Sequence, residues 1–176
     1  MDARDALRTT GSVRRFTDRA VSDDTLRDIL DDARFAPSGG NRQGWRVVVV
    51  KDRATRAELG RHMQAVWDEY LAVNEQVPAV LVIGVDMRQL AMMDKDLQRT
   101  GIVGGASVYP FCWSALLAAR SRGLGGVLTT FLARREPDVA ALLGLPEYHA
   151  VVATLFLGYP EHQPTRLKRR PVEAFT

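Results

Sequence analysis

The sequence predicts an α+β architecture: a mostly antiparallel sheet flanked by helices. Three observations carry this. The runs W-R-V-V-V-V at 45–50, A-V-L-V-I-G-V at 79–85 and A-V-V-A-T-L-F-L at 150–157 are rich in β-branched and apolar residues and read as buried strands. Helix-periodic segments separate them, but without the tight β-α-β rhythm of a parallel Rossmann unit. No G-x-G-x-x-G follows a strand, so a separate dinucleotide-binding domain is not expected. At 176 residues the chain fits a single domain spanning 1–176.

Each element has its own signal. A short helix is predicted from Ala3 to Thr9, ending at the Thr9-Thr10-Gly11 break. Ser22 has the character of an N-cap, and Asp23 and Asp24 place carboxylates in the first turn, where they complement the helix dipole. Leu26, Ile29, Leu30, Ala33 and Ala36 continue that helix until Pro37 ends the run. The loop Ser38–Gly44 carries three glycines and leads into the first strand. A second amphipathic helix is predicted from Thr55 to Val73, with Leu59, Met63, Val66 and Tyr70 on one face. The polar stretch Met87–Thr100 carries no clear periodicity.

From Ser107 to Arg122 the pattern returns to helix. Pro110 sits in the first turn, where a missing N–H is harmless, and the run Ala115–Ala119 predicts burial nearly all round. Gly125–Thr130 reads as a short strand, and Pro137–Leu143 as a short helix closed by Gly144. A basic tail punctuated by proline ends the chain.

Composition excludes several classes. Apolar residues make up 46% and charged residues 26%, the balance of a globular protein rather than a disordered one. A core of this size is modest, which favours pairing of two copies. The net charge of +3 is too small to argue for nucleic acid, and the basic residues are not interleaved with aromatics over a broad face. Cys112 is the only cysteine, so neither an internal disulfide nor a Cys-rich metal site is possible. His62, His149 and His162 lack ligand spacing, so no metal is expected. The charged start M-D-A-R-D-A-L-R does not read as a signal peptide, and no apolar run approaches a membrane span, so a cytoplasmic protein is expected.

Three segments remain that carry chemistry. G-S-V-R-R-F at 11–16 and L-K-R-R-P at 167–171 offer hydroxyl and cationic groups suited to a phosphate, although surface charge would look the same. A-P-S-G-G-N-R-Q-G-W at 36–45 is either a plain helix-to-strand turn or a close backbone approach to a flat ring, with Asn41 and Gln43 as polar contacts.

In order and spacing these segments resemble the nitroreductase family of FMN-dependent NAD(P)H oxidoreductases. That family runs R-S-x-R-x-F, then A-P-S-x-x-N-x-Q-P-W, then a helix ending in G-L-G, a short strand over the flavin, L-G-Y-P and a basic tail. Here the later parts are Gly123-Leu124-Gly125, then Gly126–Thr130, then Leu157-Gly158-Tyr159-Pro160, and the resemblance runs from Ala6 to Val172.

The resemblance implies a nitroreductase-like fold, a homodimer and FMN at sites between the subunits. Ser12, Arg14, Lys168 and Arg170 match the family's phosphate ligands. Pro37, Ser38, Gly39 and Gly40 match the segment along the ring edge, with Asn41 and Gln43 donating amide hydrogen bonds. Leu128, Thr129 and Thr130 match the strand that packs over the ring.

Three departures stand out. Thr10 or Gly11 stands where the family often has a basic residue, so one phosphate contact is missing or is replaced by the Thr10 hydroxyl. Gly44 replaces a proline, which should loosen the loop. Trp113 and Ser114 stand where relatives carry Gln-Asn; Trp113 either lines the substrate pocket or fills a core.

The implied chemistry is passage of hydride and electrons from NAD(P)H to an electron-poor small-molecule acceptor such as a nitroaromatic or quinone. No catalytic side chain is assigned, because binding and electrostatics around the ring suffice. The alternative is a flavin-sequestering or deazaflavin-binding protein of the same fold. The short Asp86–Gly101 region, where relatives build a substrate lid, bears on that choice.

Overall fold

The computed structural model describes residues 1–65, 77–91 and 104–176. Helix α1 (Ala3–Thr9) begins at Asp2, whose carboxylate accepts from the Asp5 N–H. Helix α2 (Asp23–Ala33) begins at Ser22, whose hydroxyl oxygen accepts from the Thr25 N–H, as the cap signal predicts. It ends earlier than its apolar spacing suggests. Phe35 and Ala36 already bond three residues back, to Asp32 and Ala33, because the residues leading to Pro37 are steered out of helical geometry. Strand β1 (Trp45–Val50) and helix α3 (Arg53–Gln64, capped by Asp52) follow. The part of the second predicted helix beyond residue 65 lies outside the described residues, as does most of the predicted Met87–Thr100 stretch.

Strand β2 (Ala79–Asp86) runs into α4 (Met87–Ala91). Helix α5 (Tyr109–Ser121) leads to β3 (Gly125–Thr129), then α6 (Asp138–Leu142) and β4 (His149–Gly158).

The four strands form one antiparallel sheet in the order β1-β2-β4-β3. Every residue of β2 is buried, whereas in β1 only Val50 is. The expectation of a buried first strand is therefore corrected: among the described residues β1 is an edge strand paired only with β2.

Two apolar layers flank the sheet. On one side Leu81, Ile83, Leu155 and Leu157 meet Leu26 and Ile29 of α2 and Phe111, Ala115 and Leu116 of α5. On the other, Val80, Val82 and Phe156 meet Leu59 and Met63 of α3 and Val139 of α6. Successive strand residues point to opposite faces, so a β-branched run with no polar alternation is what a sheet covered on both sides requires. The run Ala115–Ala119 is buried apart from half-buried Leu117, as its composition predicts, whereas earlier in α5 Tyr109 is 41% and Trp113 40% exposed, one turn apart.

Candidate flavin site

Two groups of the predicted site residues lie toward opposite ends of α5. At its C-terminal end, Arg120 Nε donates to Thr9 Oγ1 at 3.2 Å, tying the helix to the end of α1. The chain leaving α1 then lies along β3: Ser12 bridges Gly126 in parallel, and the Val13 N–H donates to the Gly126 carbonyl at 2.9 Å. The tail returns to the same place. Leu167 packs so closely on Gly11 that a Cβ there would lie 2.7 Å from Leu167 Cδ2, and Gln163 Nε2 donates to the Thr9 carbonyl at 3.2 Å. This contact gives a steric reason for the absence of a larger side chain at position 11.

Ser12, Arg14, Lys168 and Arg170 are all exposed in this neighbourhood. Among the described residues none of the three cations is in an ion pair. The Thr10 hydroxyl does not join them. It is buried and donates its one hydrogen to the Ala6 carbonyl at 2.7 Å, so the suggested substitute phosphate donor is spent inside α1.

At the N-terminal end of α5 sits the glycine-rich loop. Ser107 Oγ accepts from the Gly39 N–H at 3.0 Å, and Ser38 Oγ accepts from the Gln43 N–H at 3.0 Å. Between them the chain makes a tight turn, with φ of 59° at Gly40, 54° at Asn41 and 51° at Gln43. Gly40 takes this left-handed region freely and Asn41 tolerates it, but at Gln43 it costs about 1–3 kcal/mol, which the surrounding bonds must offset. The Gln43 Nε2 donates to Asn41 Oδ1 at 3.2 Å and to the Asn41 carbonyl at 3.3 Å, so the two predicted amides steady each other while staying exposed. Pro37 and Gly40 are exposed and Ser38 and Gly39 half-buried. Trp45, the first residue of β1, stacks on Phe111 of α5 with ring centroids 4.9 Å apart, fixing where the loop ends.

Behind the loop stands a support that the sequence reading missed. The Asp86 N–H donates to the Gly44 carbonyl at 3.0 Å. The Asp86 carboxylate, 3% exposed, accepts from Arg88 Nε at 2.9 Å, Nη2 at 2.7 Å and the Arg88 N–H at 3.0 Å. That guanidinium holds the Asp86 carboxyl well below its ordinary value, at about 2. A Cβ on Gly44 would lie 2.8 Å from Gln89 Cβ, so the glycine is a tight contact with α4 and not the slack position expected of a lost proline. The only sequence signal for this support was a D-x-R at a strand end, which has no distinctive period.

The β3 candidates divide. Leu128 is half-buried against the α2–α5 layer. Thr129 is 6% exposed, and its hydroxyl oxygen accepts from the Phe131 N–H at 3.2 Å. Thr130 is exposed and has the more accessible of the two hydroxyls. Cys112 is fully buried, and burial pushes its thiol up to about 12, so it stays protonated and is no nucleophile. Among the described residues no three His, Cys, Asp or Glu side chains come together as a metal site.

One chain therefore brings Ser12 and the start of the tail toward one end of α5 and Pro37–Gln43 to the other, while β3 turns back along the helix between them. At 1.5 Å per residue the 13-residue helix between them is about 20 Å long.

Comparison with known proteins fits this arrangement. The model of the nitroreductase family matches residues 7–159. The NADH dehydrogenase of Thermus thermophilus is 32% identical over 200 residues, covering 98% of this chain and 94% of that protein. Among solved structures, an NADPH:FMN oxidoreductase from Vibrio harveyi in complex with NAD+ superposes with a TM-score of 0.80 at 29% identity, covering 97% of this chain and 74% of that one. A nitroreductase from Desulfovibrio desulfuricans in complex with FMN superposes with a TM-score of 0.79 at 27% identity, covering 97% of this chain and 92% of that one.

Proposed function

This chain belongs to the nitroreductase family, and from that premise we propose that it is an FMN-dependent oxidoreductase, passing hydride and electrons from NAD(P)H to an electron-poor acceptor such as a nitroaromatic or quinone. One observation carries the reading. Exposed cations and a hydroxyl on segments that meet near one end of α5, with a backbone-lined polar loop at the other, support a ligand that carries a phosphate and a flat heterocycle.

The residues present fit FMN. Arg14, Lys168 and Arg170 have no competing carboxylate partner among the described residues, and Ser12 beside them adds a hydroxyl. They would hold the phosphate. Asn41, Gln43 and the backbone of Pro37–Gly40 would orient the ring, and Leu128–Thr130 would cover it. Bound FMN would supply the hydride-carrying ring; the protein supplies position and field, with no nucleophile or strong base.

The separation of the two groups along α5 supports a homodimer in which the phosphate contacts of one copy and the ring loop of the other share a flavin. Tyr109 and Trp113, exposed on α5, are the apolar surface on which two copies would pair.

The test is the visible spectrum of the purified protein under anaerobic conditions. A flavin band that bleaches on addition of NADH or NADPH, and returns on addition of a nitroaromatic or quinone, is the expected result. A flavin band that neither nucleotide bleaches would identify a protein that holds flavin without turning over.

A further inference from the structure

Four cations fall within five residues of the tail: Arg166, Lys168, Arg169 and Arg170. Such a run repels itself unless anions answer it. On the proposed reading a flavin phosphate would answer two of them, Lys168 and Arg170. The other two line a groove of about 410 Å³ between the tail and α1, bounded by Leu7, Arg8, Thr165, Arg166, Leu167 and Arg169. Ser12, Arg14, Lys168 and Arg170 are not among its lining residues.

The groove has the chemistry of a phosphate site. It carries three guanidinium groups and one hydroxyl, with no carboxylate among its lining residues. Arg8, Arg166 and Arg169 are in no ion pair among the described residues; the one bond recorded for their heads is Arg169 Nη1 to the neighbouring Lys168 carbonyl at 2.8 Å. Leu7, which is 54% exposed, and Leu167 give it an apolar border.

A second basic hollow, beside Lys51, Arg53 and Arg56, differs on this point. There Lys51 is paired with Asp23, and Arg56 donates to the Val77 carbonyl. Among the described residues, none of the three guanidinium groups of the tail groove has a carboxylate partner.

Its position gives it a use. Leu167 packs on Gly11, and Gly11 adjoins Ser12, so the groove backs directly onto the segment assigned to the flavin phosphate. A ligand seated there lies beside the bound cofactor, not on a remote face.

We infer that this groove is a second phosphate-monoester site, formed by Arg8, Arg166, Arg169 and Thr165, and that its occupant is the 2′-phosphate of NADPH, which makes NADPH the preferred electron donor. The inference rests on the reading that a nicotinamide nucleotide reduces the flavin. NADH and NADPH share every other group, so a dianion-binding groove acts on their ratio. Leu7 and Leu167 offer the ribose and base an apolar edge.

The experiment uses the flavin-loaded protein and two probes that need no turnover, adenosine 2′,5′-bisphosphate and adenosine 5′-monophosphate, titrated by calorimetry. The same preparation is assayed with NADPH and NADH, with and without inorganic phosphate. The bisphosphate is expected to bind about tenfold or more tightly than the monophosphate, as one charge-assisted phosphate contact supports. The ratio of kcat/KM for NADPH over NADH should favour NADPH by a similar factor, and inorganic phosphate should compete with NADPH more strongly than with NADH.

In the double variant Arg166→Gln/Arg169→Gln, both preferences should collapse while FMN content, read from the visible spectrum, is retained. Equal affinity for the two adenosine nucleotides in the native protein would overturn the inference, as would a variant that keeps its preference for the bisphosphate. Loss of FMN from the variant would assign the groove to the flavin phosphate instead. Calorimetric affinity for inorganic phosphate or a simple sugar phosphate equal to that for the bisphosphate would identify a free phosphate ligand and overturn the NADPH assignment. If neither nucleotide is oxidised while the bisphosphate preference persists, the oxidoreductase reading fails and the groove stands as a phosphate site.

Discussion

At the C-terminal end of α5 the proposed site is made of exposed side chains, Ser12, Arg14, Lys168 and Arg170, delivered by segments from the two extremes of the chain. At the N-terminal end it is made of a single loop, whose backbone is held in left-handed geometry by Ser38 and Ser107 and braced from behind by Asp86 and Arg88. The first end is charge on a finished surface; the second is shape stored in the fold. Changes at the first should therefore act on one part of the ligand and leave stability alone. Changes at the second should act on stability and on the whole flavin together.

The largest effect is expected at the phosphate end. If Arg170 holds the FMN phosphate as proposed, Arg170→Ala removes a hydrogen bond to a charged group, about 1.5–3 kcal/mol, so FMN affinity should fall about tenfold or more. Riboflavin, which lacks the phosphate, should bind nearly as before, and fluorescence titration with both ligands measures the difference. Equal losses would place Arg170 away from the phosphate and dissolve the contrast between the two ends.

At the ring end, Gly44→Ala forces a Cβ to within 2.8 Å of Gln89 Cβ. Relief of that overlap should cost about 1–3 kcal/mol, seen as a lower Tm, and FMN and riboflavin should weaken by the same factor. Ser38→Ala leaves the Gln43 N–H without its side-chain acceptor and should cost about 1 kcal/mol, again without distinguishing the two ligands. A selective loss of FMN in either variant would mean that the loop serves the phosphate.

The brace gives a smaller effect that depends on pH. The folded Asp86 carboxyl lies below its ordinary value, so its pairing with Arg88 stabilises the fold above the unfolded carboxylate range. That contribution is lost as pH falls from there through about 2. Asp86→Asn should therefore lower Tm at neutral pH, and the gap from the native protein should close on acidification. A gap that stays constant with pH would show that the charge of Asp86 is not what braces the loop. The smallest effect is at Cys112, whose buried, protonated thiol should resist alkylation in the native protein and react only on unfolding.

Much of this was legible in the sequence, for identifiable reasons. The Trp45–Val50 run gave a strand with those bounds because six residues of mainly β-branched character have few other uses. The Ser22 cap was legible because capping is local. The edge position of β1 was not, since an apolar strand paired on one side reads like one paired on both. Neither was the role of Gly44, which depends on Gln89, a residue forty-odd positions away brought there by the β1–β2 pairing. The segments of the candidate flavin site could be proposed one by one from their motifs, but not that α5 lies between them, because a separation is a property of packing and not of any segment.

That separation admits a direct test by subunit mixing. Arg170→Ala breaks the phosphate end, and Asn41→Ala/Gln43→Ala breaks the ring end. Each variant alone should bind FMN poorly. If each flavin is shared between two copies, unfolding the two variants together and refolding them at equal concentration should regenerate one intact site in each mixed dimer, about one quarter of all sites for random pairing. Tight FMN binding and nucleotide-driven bleaching should return to about that level. If both ends of a site come from one chain, every chain in the mixture remains broken, and no recovery of tight FMN binding above that of the separate variants would contradict the shared site.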